Sequence, residues 1–288
     1  MALPGAAMIA ALLIMGTHAR AQQTEIERGE YLIHAGACID CHTEDSDEAT
    51  PLAGGRAIES PFGTFFSPNI TPDINTGIGS WSDDDFLNAF WDGVNPEGDH
   101  YYPAFPYPSY TGVLRDDLLA MKAYLFSLQP VEKTTPEHEL AWYISTRMAA
   151  GAWKLKNFES ARYSFNPEQS AQWNRGAYLV RHLGHCGECH TPRSTLGVLK
   201  YGQELAGNPN GPDESKIPNI TPHKFDGVGK WSVSDIEYFL DIGMLPDGDF
   251  VGSKMSTVID HSTSKLTKDD RVAIATYLKS IAPLSSPE

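Results

Sequence analysis

Apolar positions along the chain recur at three- and four-residue steps. Leu118, Met121, Leu125 and Leu128 give one apolar face to a helix near residue 120, and no segment carries a clear strand signal. Two short helices announce their starts. Ser82 is followed three residues on by Asp85, and Ser232 by Asp235, so that a hydroxyl and a carboxylate satisfy the exposed N–H groups of a first turn. Loops rich in proline and glycine separate these segments, and the fold expected is all-α. A helical stretch is also expected around Leu140 to Phe158. An apolar stretch from Ala6 to Met15 precedes Ala19-Arg20-Ala21, a small-x-small cleavage pattern, which predicts a signal peptide over residues 1–21 and a mature start near Gln22. The segment before that stretch holds no lysine or arginine, and an uncleaved membrane anchor is the competing reading.

The second half of the chain repeats the first. Arg28-Gly29-Glu30-Tyr31-Leu32 matches Arg175-Gly176-Ala177-Tyr178-Leu179, and His34 matches His182. Pro68-Asn69-Ile70-Thr71-Pro72 matches Pro218-Asn219-Ile220-Thr221-Pro222, and Gly79-Ser80-Trp81-Ser82 matches Gly229-Lys230-Trp231-Ser232, both at an offset of 150. Asp116-Asp117 matches Asp269-Asp270 at 153. The organisation predicted is therefore two copies of one domain, residues 22–128 and 175–288, joined by a partly helical linker, 129–174. Gly29 and Gly176 would let another helix approach closely, with Tyr124 and Tyr277 as the expected packing partners.

Composition narrows the class. The 288 residues hold 41% hydrophobic and 10% aromatic side chains, which excludes disordered, collagenous and multi-span membrane chains. A net charge of -15 argues against nucleic acid. The acidity is uneven: residues 22–128 carry 18 acidic and 4 basic side chains, residues 175–288 carry 14 and 12, and the linker carries five of each. An acidic first half reads either as a solvated face or as a docking face for a basic redox partner.

All four cysteines fall in two frames, Cys38-Ile39-Asp40-Cys41-His42 and Cys186-Gly187-Glu188-Cys189-His190. C-x-x-C-H is the attachment signature of c-type haem: two thiols form thioethers on the porphyrin, and the following histidine lies beneath the iron. A four-thiolate zinc site, a redox dithiol and a pair of disulfides are the alternatives. A zinc site leaves both histidines unexplained. The expected cofactors are two covalently bound haem c groups, with His42 and His190 as iron ligands.

The run Trp173-Asn174-Arg175-Gly176-Ala177-Tyr178-Leu179-Val180, with Gly184-His185-Cys186-Gly187-Glu188-Cys189-His190-Thr191-Pro192-Arg193, resembles the class I c-type cytochromes that serve bacterial membrane-linked alcohol, aldehyde and gluconate dehydrogenases. The resemblance implies a mitochondrial-cytochrome-like helical fold in each half and electron transfer as the activity. The predicted signal peptide implies a periplasmic location, soluble or peripherally membrane-associated. A flavin- or quinone-cofactor dehydrogenase would be the donor, and a terminal oxidase or another cytochrome the acceptor. Those subunits commonly carry three haems; two motifs stand here.

Sixth ligands are expected from the loop after each short helix. In the second copy Met255 is the choice and Met244 the rival, and the family's ligand position resembles Met255. At offset 150 the first copy places Phe105 there, and phenylalanine cannot ligate iron. The first iron is then either five-coordinate or ligated by a neighbour: His100 first, then Tyr101, Tyr102 or Tyr107. His34, His182 and His185 precede the motifs, where hydrogen bonding is expected. Two function classes follow. One is an exported dihaem electron carrier. The other is a dihaem oxidoreductase whose first haem is the reactive site, resembling in outline the dihaem peroxidases and thiosulfate dehydrogenases. A gas-binding or redox sensor is a third reading, without an accompanying signalling module.

Overall fold

In a computed structural model of the chain, residues 22–211 and 215–288 are described; the predicted signal peptide lies outside them. The first half runs through helix α1 (22–35), α2 (Cys38–His42), α3 (Asp83–Asp92), α4 (Tyr107–Tyr110) and α5 (Arg115–Ser127). Helix α6 (Arg147–Asn157) lies in the linker. The second half repeats the order with α7 (Ala171–Tyr178), α8 (Gly187–His190), α9 (Val233–Ile242), α10 (Ser253–His261) and α11 (Lys268–Ser280). Helix α7 continues through a π-helical turn, Leu179–Leu183.

Local sequence explains the helix starts. Ser82 and Ser232 close reciprocal capping boxes with Asp85 and Asp235, and Gly93 and Gly243 end those helices in left-handed conformation. Within α5, Leu118, Met121 and Leu125 are fully buried.

The first and last helices of each half cross in backbone contact. A Cβ on Gly29 would stand 2.0 Å from the Ala120 carbonyl oxygen and 2.8 Å from the Tyr124 Cβ; one on Gly176 would stand 2.0 Å from the Ala273 oxygen and 2.8 Å from the Tyr277 Cβ. Only glycine permits that approach.

The halves share one continuous core, in which Leu32, Ile33, Leu118 and Met121 join Leu179, Val180, Leu183 and Ile274. Across it runs a reciprocal polar exchange. Tyr31 of the first half donates to Asp270 of the second at 2.5 Å, and Tyr178 of the second donates to Asp117 of the first at 2.5 Å. Each tyrosine oxygen also accepts a backbone N–H at the start of the receiving helix, from Thr267 and Leu114. Arg175 pairs with Asp270 and Arg28 with Asp117 inside each half. His34 and His182 cross as well, to the carbonyls of His261 and Ser109.

Two features depart from the sequence reading. A small antiparallel sheet forms, β1 (Ala57–Ser60), β2 (Gly63–Phe66) and β3 (Glu139–Leu140). Gly63, at φ 116, turns the hairpin and Phe65 is buried against Tyr102 and Ala150. The linker helix is accordingly shorter than expected. It starts at Arg147 behind a Thr146 cap, because Leu140 is drawn into the sheet opposite Gly63.

Burial raises the Asp270 carboxyl, but the hydrogen bonds from Arg175 and Tyr31 and the arginine charge outweigh it, so the group lies below its ordinary range. A carboxyl depressed in the folded state stabilises above its unfolded value, about 3.9, and that contribution is lost as pH falls through the folded value. Asp270→Asn is expected to lower unfolding free energy by about 2 kcal/mol at neutral pH, with the gap from the parent closing in acid; denaturant titrations at both pH values measure it. Gly176→Ala should cost ~3 kcal/mol through overpacking at the crossing, read by the same titration.

Candidate functional site

Each cysteine motif begins a short helix entered through a left-handed residue, Ala37 at φ 50 and His185 at φ 36. None of the four cysteines is in a disulfide. Burial pushes the Cys38 and Cys186 thiols up to about 12. Among the described residues, no group of three or more His, Cys, Asp or Glu side chains converges to hold a metal ion, an arrangement that a four-cysteine zinc site would require.

The histidines behave as a matched pair. His42 Nδ1 lies 2.8 Å from the Pro68 carbonyl, and His190 Nδ1 lies 2.8 Å from the Pro218 carbonyl. A carbonyl only accepts, so the proton sits on Nδ1 and the lone pair on Nε2. Burial lowers both imidazole pKa values, and the carbonyl contact offsets this only in part. Both rings are therefore neutral and present Nε2 as a donor atom, with a backbone acceptor fixing tautomer and orientation, as metal-binding histidines require.

The Pro-Asn-Ile-Thr-Pro repeat builds that acceptor. Asn69 Oδ1 accepts from the Thr71 N–H at 2.9 Å, and Asn69 Nδ2 donates to the Val131 carbonyl at 2.7 Å. Asn219 makes the same bonds to Thr221 at 2.8 Å and to the Leu284 carbonyl at 2.7 Å. Val131, at the start of the linker, thus serves the first half as the C-terminal Leu284 serves the second. Gly54 and Gly207, both at positive φ, donate to the carbonyls of His42 and His190 at 2.8 Å. The sequence shows the repeat without assigning Pro68, Pro218, Asn69 or Asn219 a part; the recurrence of all five residues at an offset of 150 between the halves was the available signal.

The residues expected to supply sixth ligands fall in unlike surroundings. Met255 lies in α10, partly buried against the common core, while Met244 is paired through its backbone with Phe250. The same isolated bridge joins Val94 to His100, so the structure aligns the two halves at offset 150 through this turn. Phe105 sits among aromatic rings, 5.3 Å from Phe90, 5.6 Å from Tyr101 and 5.5 Å from Tyr110.

His100 takes another direction. A Cβ on Gly151 of α6 would stand 2.5 Å from the His100 ring, and the counterpart Phe250 is 62% exposed. His100 therefore faces the linker helix, with its Nδ1 buried and without a hydrogen-bond partner. Its pKa is lowered by burial and by the Lys154 charge. Tyr102 also turns to the linker, donating to the Ile144 carbonyl at 2.7 Å, and Tyr107 is buried edge-on to Phe158. Of the residues named for the first iron, Tyr101 is the one that packs on Phe105; burial raises its hydroxyl well above the ordinary range.

No helix among the described residues is long and apolar enough to cross a membrane. No family model matches the chain, but curated relatives do. A dihaem c-type cytochrome of Cereibacter sphaeroides is 43% identical over 89% of this chain and 86% of its own length. The fructose dehydrogenase cytochrome subunit of Gluconobacter japonicus is 38% identical over 97% of this chain and 59% of its own. The gluconate 2-dehydrogenase cytochrome c subunit of Pantoea cypripedii is 38% identical over 91% and 60%. The chain thus spans about three fifths of those two subunits and most of the Cereibacter protein. Matched histidine–carbonyl pairs behind two C-x-x-C motifs fit covalent haem at both places, and with this similarity the chain belongs to the dihaem c-type cytochromes.

Proposed function

We propose that the chain is a periplasmic dihaem relay that accepts electrons from a membrane-linked or periplasmic dehydrogenase and passes them to a downstream acceptor. Cys38 and Cys41 anchor one haem c and Cys186 and Cys189 the other, in domains spanning 22–128 and 175–288 on either side of the linker 129–174. His42 and His190 ligate the irons through Nε2. The single observation that carries this reading is the identical pairing of both histidines with a proline carbonyl at 2.8 Å. Bound there, haem c supplies a one-electron iron couple. Similarity to cytochrome subunits of fructose and gluconate dehydrogenases supports a dehydrogenase as donor.

The two halves differ in what they would offer an iron as a sixth ligand. Met255 would supply a thioether, which favours the ferrous state and raises the potential. Phe105 supplies nothing, and its partly buried ring lies among those of Phe90, Tyr101 and Tyr110. His100 would have to leave α6 to serve there; Tyr101 stands closer in the fold. This observation favours one second reading, a dihaem oxidoreductase in which the first iron is open to a small substrate. The acidic residues of the first half, among them Glu44, Asp45, Asp47 and Glu48 after the motif, suit a basic partner surface.

Cys186→Ala is expected to reduce covalent haem from two groups per chain to one, counted by haem absorbance after denaturation. Met255→Leu should lower the potential of one haem and leave the other unchanged in a redox titration, while Phe105→Met should raise the potential of the other. Electron paramagnetic resonance on the oxidised protein decides between the readings: a high-spin signal of half the haem supports an open first iron, and two low-spin signals support the carrier alone. Electron transfer to the physiological partner should slow as salt shortens the Debye length below about 10 Å.

A further inference from the structure

Where the halves meet, cross-contacts come in pairs: Tyr31 and Tyr178, His34 and His182, and, from within the motifs, Asp40 to His261 and Glu188 to Ser109, both at 2.5 Å. Another contact among the described residues runs directly between the segments that lead into the two cysteine motifs. His185, immediately before Cys186, reaches into the first half and donates from Nε2 to the Gly36 carbonyl at 3.2 Å. Gly36 stands two residues before Cys38. The same carbonyl accepts from Tyr110 at 3.0 Å, and the Tyr110 and His185 rings meet edge to face at 5.2 Å and 86°. The position equivalent to His185 is Ala37, whose methyl group cannot return the bond.

His185 adopts φ 36, a left-handed geometry that residues with a Cβ adopt at a cost. Its counterpart Ala37 shares that geometry at φ 50, so it belongs to both motif entries, and what His185 adds is a side chain able to hydrogen-bond. Here that side chain makes a single hydrogen bond that joins the covalent path Cys186–His185 to the path Gly36–Ala37–Cys38.

We propose that His185 is the bridging residue of the relay, fixing the two attachment motifs against each other and setting the rate at which an electron passes between them. This rests on the relay reading above. With haem c bound at both motifs, the step would move one electron from a ferrous to a ferric centre of the same chain. No bond is made or broken, no co-reactant is consumed, and the imidazole proton stays on Nε2. His185 acts through the Gly36 carbonyl and is a positioning residue.

The test compares the parent holoprotein with His185→Gly, which relieves the strain and removes the ring, and His185→Gln, which restores an N–H donor of similar reach. Each is rapidly photoreduced from the oxidised state and followed at wavelengths that separate the two haems; midpoint potentials and thermal midpoints are measured alongside. The expected result is a several-fold slower exchange in H185G, with both potentials and the thermal midpoint unchanged and the rate partly regained in H185Q. Exchange at the parent rate in H185G overturns the inference. So does a slowing accompanied by shifted potentials that account for it, or no recovery in H185Q. Absence of exchange in the parent protein itself overturns the relay reading, and this inference with it.

Discussion

Everything in this molecule hangs on two places where helices touch backbone to backbone. At Gly29 against Ala120, and at Gly176 against Ala273, the absence of a side chain lets the first and last helices of a half cross in direct contact. The crossing fixes where the flanking residues go. Arg28 and Arg175, one position before each glycine, meet the buried carboxylates Asp117 and Asp270 at the start of the crossing helix. Those carboxylates, already charge-paired, become acceptors for the tyrosine of the other half. The same helices lead directly into the cysteine motifs, so a helix contact, an ion pair and a domain interface together determine where each motif stands.

A repeated framework carries unequal equipment. The acceptor beneath each motif histidine is built twice from the same five residues. Its outer support comes from the linker in one half, at Val131, and from the C-terminal segment in the other, at Leu284. At the positions expected to supply sixth ligands the halves diverge: an aromatic cluster surrounds Phe105 where the second half carries Met255, and α6 packs on His100 of the first half while its Trp153 donates to the Leu196 carbonyl of the second. Such a division suits a relay, in which two centres of equal potential and equal access would give an electron no preferred direction.

Much of this was legible in the sequence. The C-x-x-C-H frames, the offset between repeats, the capping serines and the two crossing glycines each reflect a local rule that tertiary structure has no reason to override. The hairpin was not legible, because its strands are four residues long and one of their partners, Glu139-Leu140, lies more than seventy residues away; the same pairing shortened the expected linker helix. The direction of His100 was hidden for a related reason. Sequence spacing places it near the ligand loop, but a residue's neighbours in a loop are decided by what packs over it, and here that is a helix from the linker. Pro68 and Pro218 act through their carbonyl oxygens, which every residue possesses, and only repetition distinguished them.

The tyrosine exchange bears on how such a chain arose. A contact in which position i of one unit meets position j of the other, and j meets i, has the isologous form of a two-fold homodimer. Each half here is finished by its neighbour's tyrosine, so a single unit standing alone would leave a buried carboxylate short of a donor and an apolar face uncovered. The tandem chain has the geometry of a symmetric pair of subunits joined end to end. Fusion removes the requirement that both copies change together. Within one chain the two copies need not match, and the first half carries Phe105 where the second carries Met255.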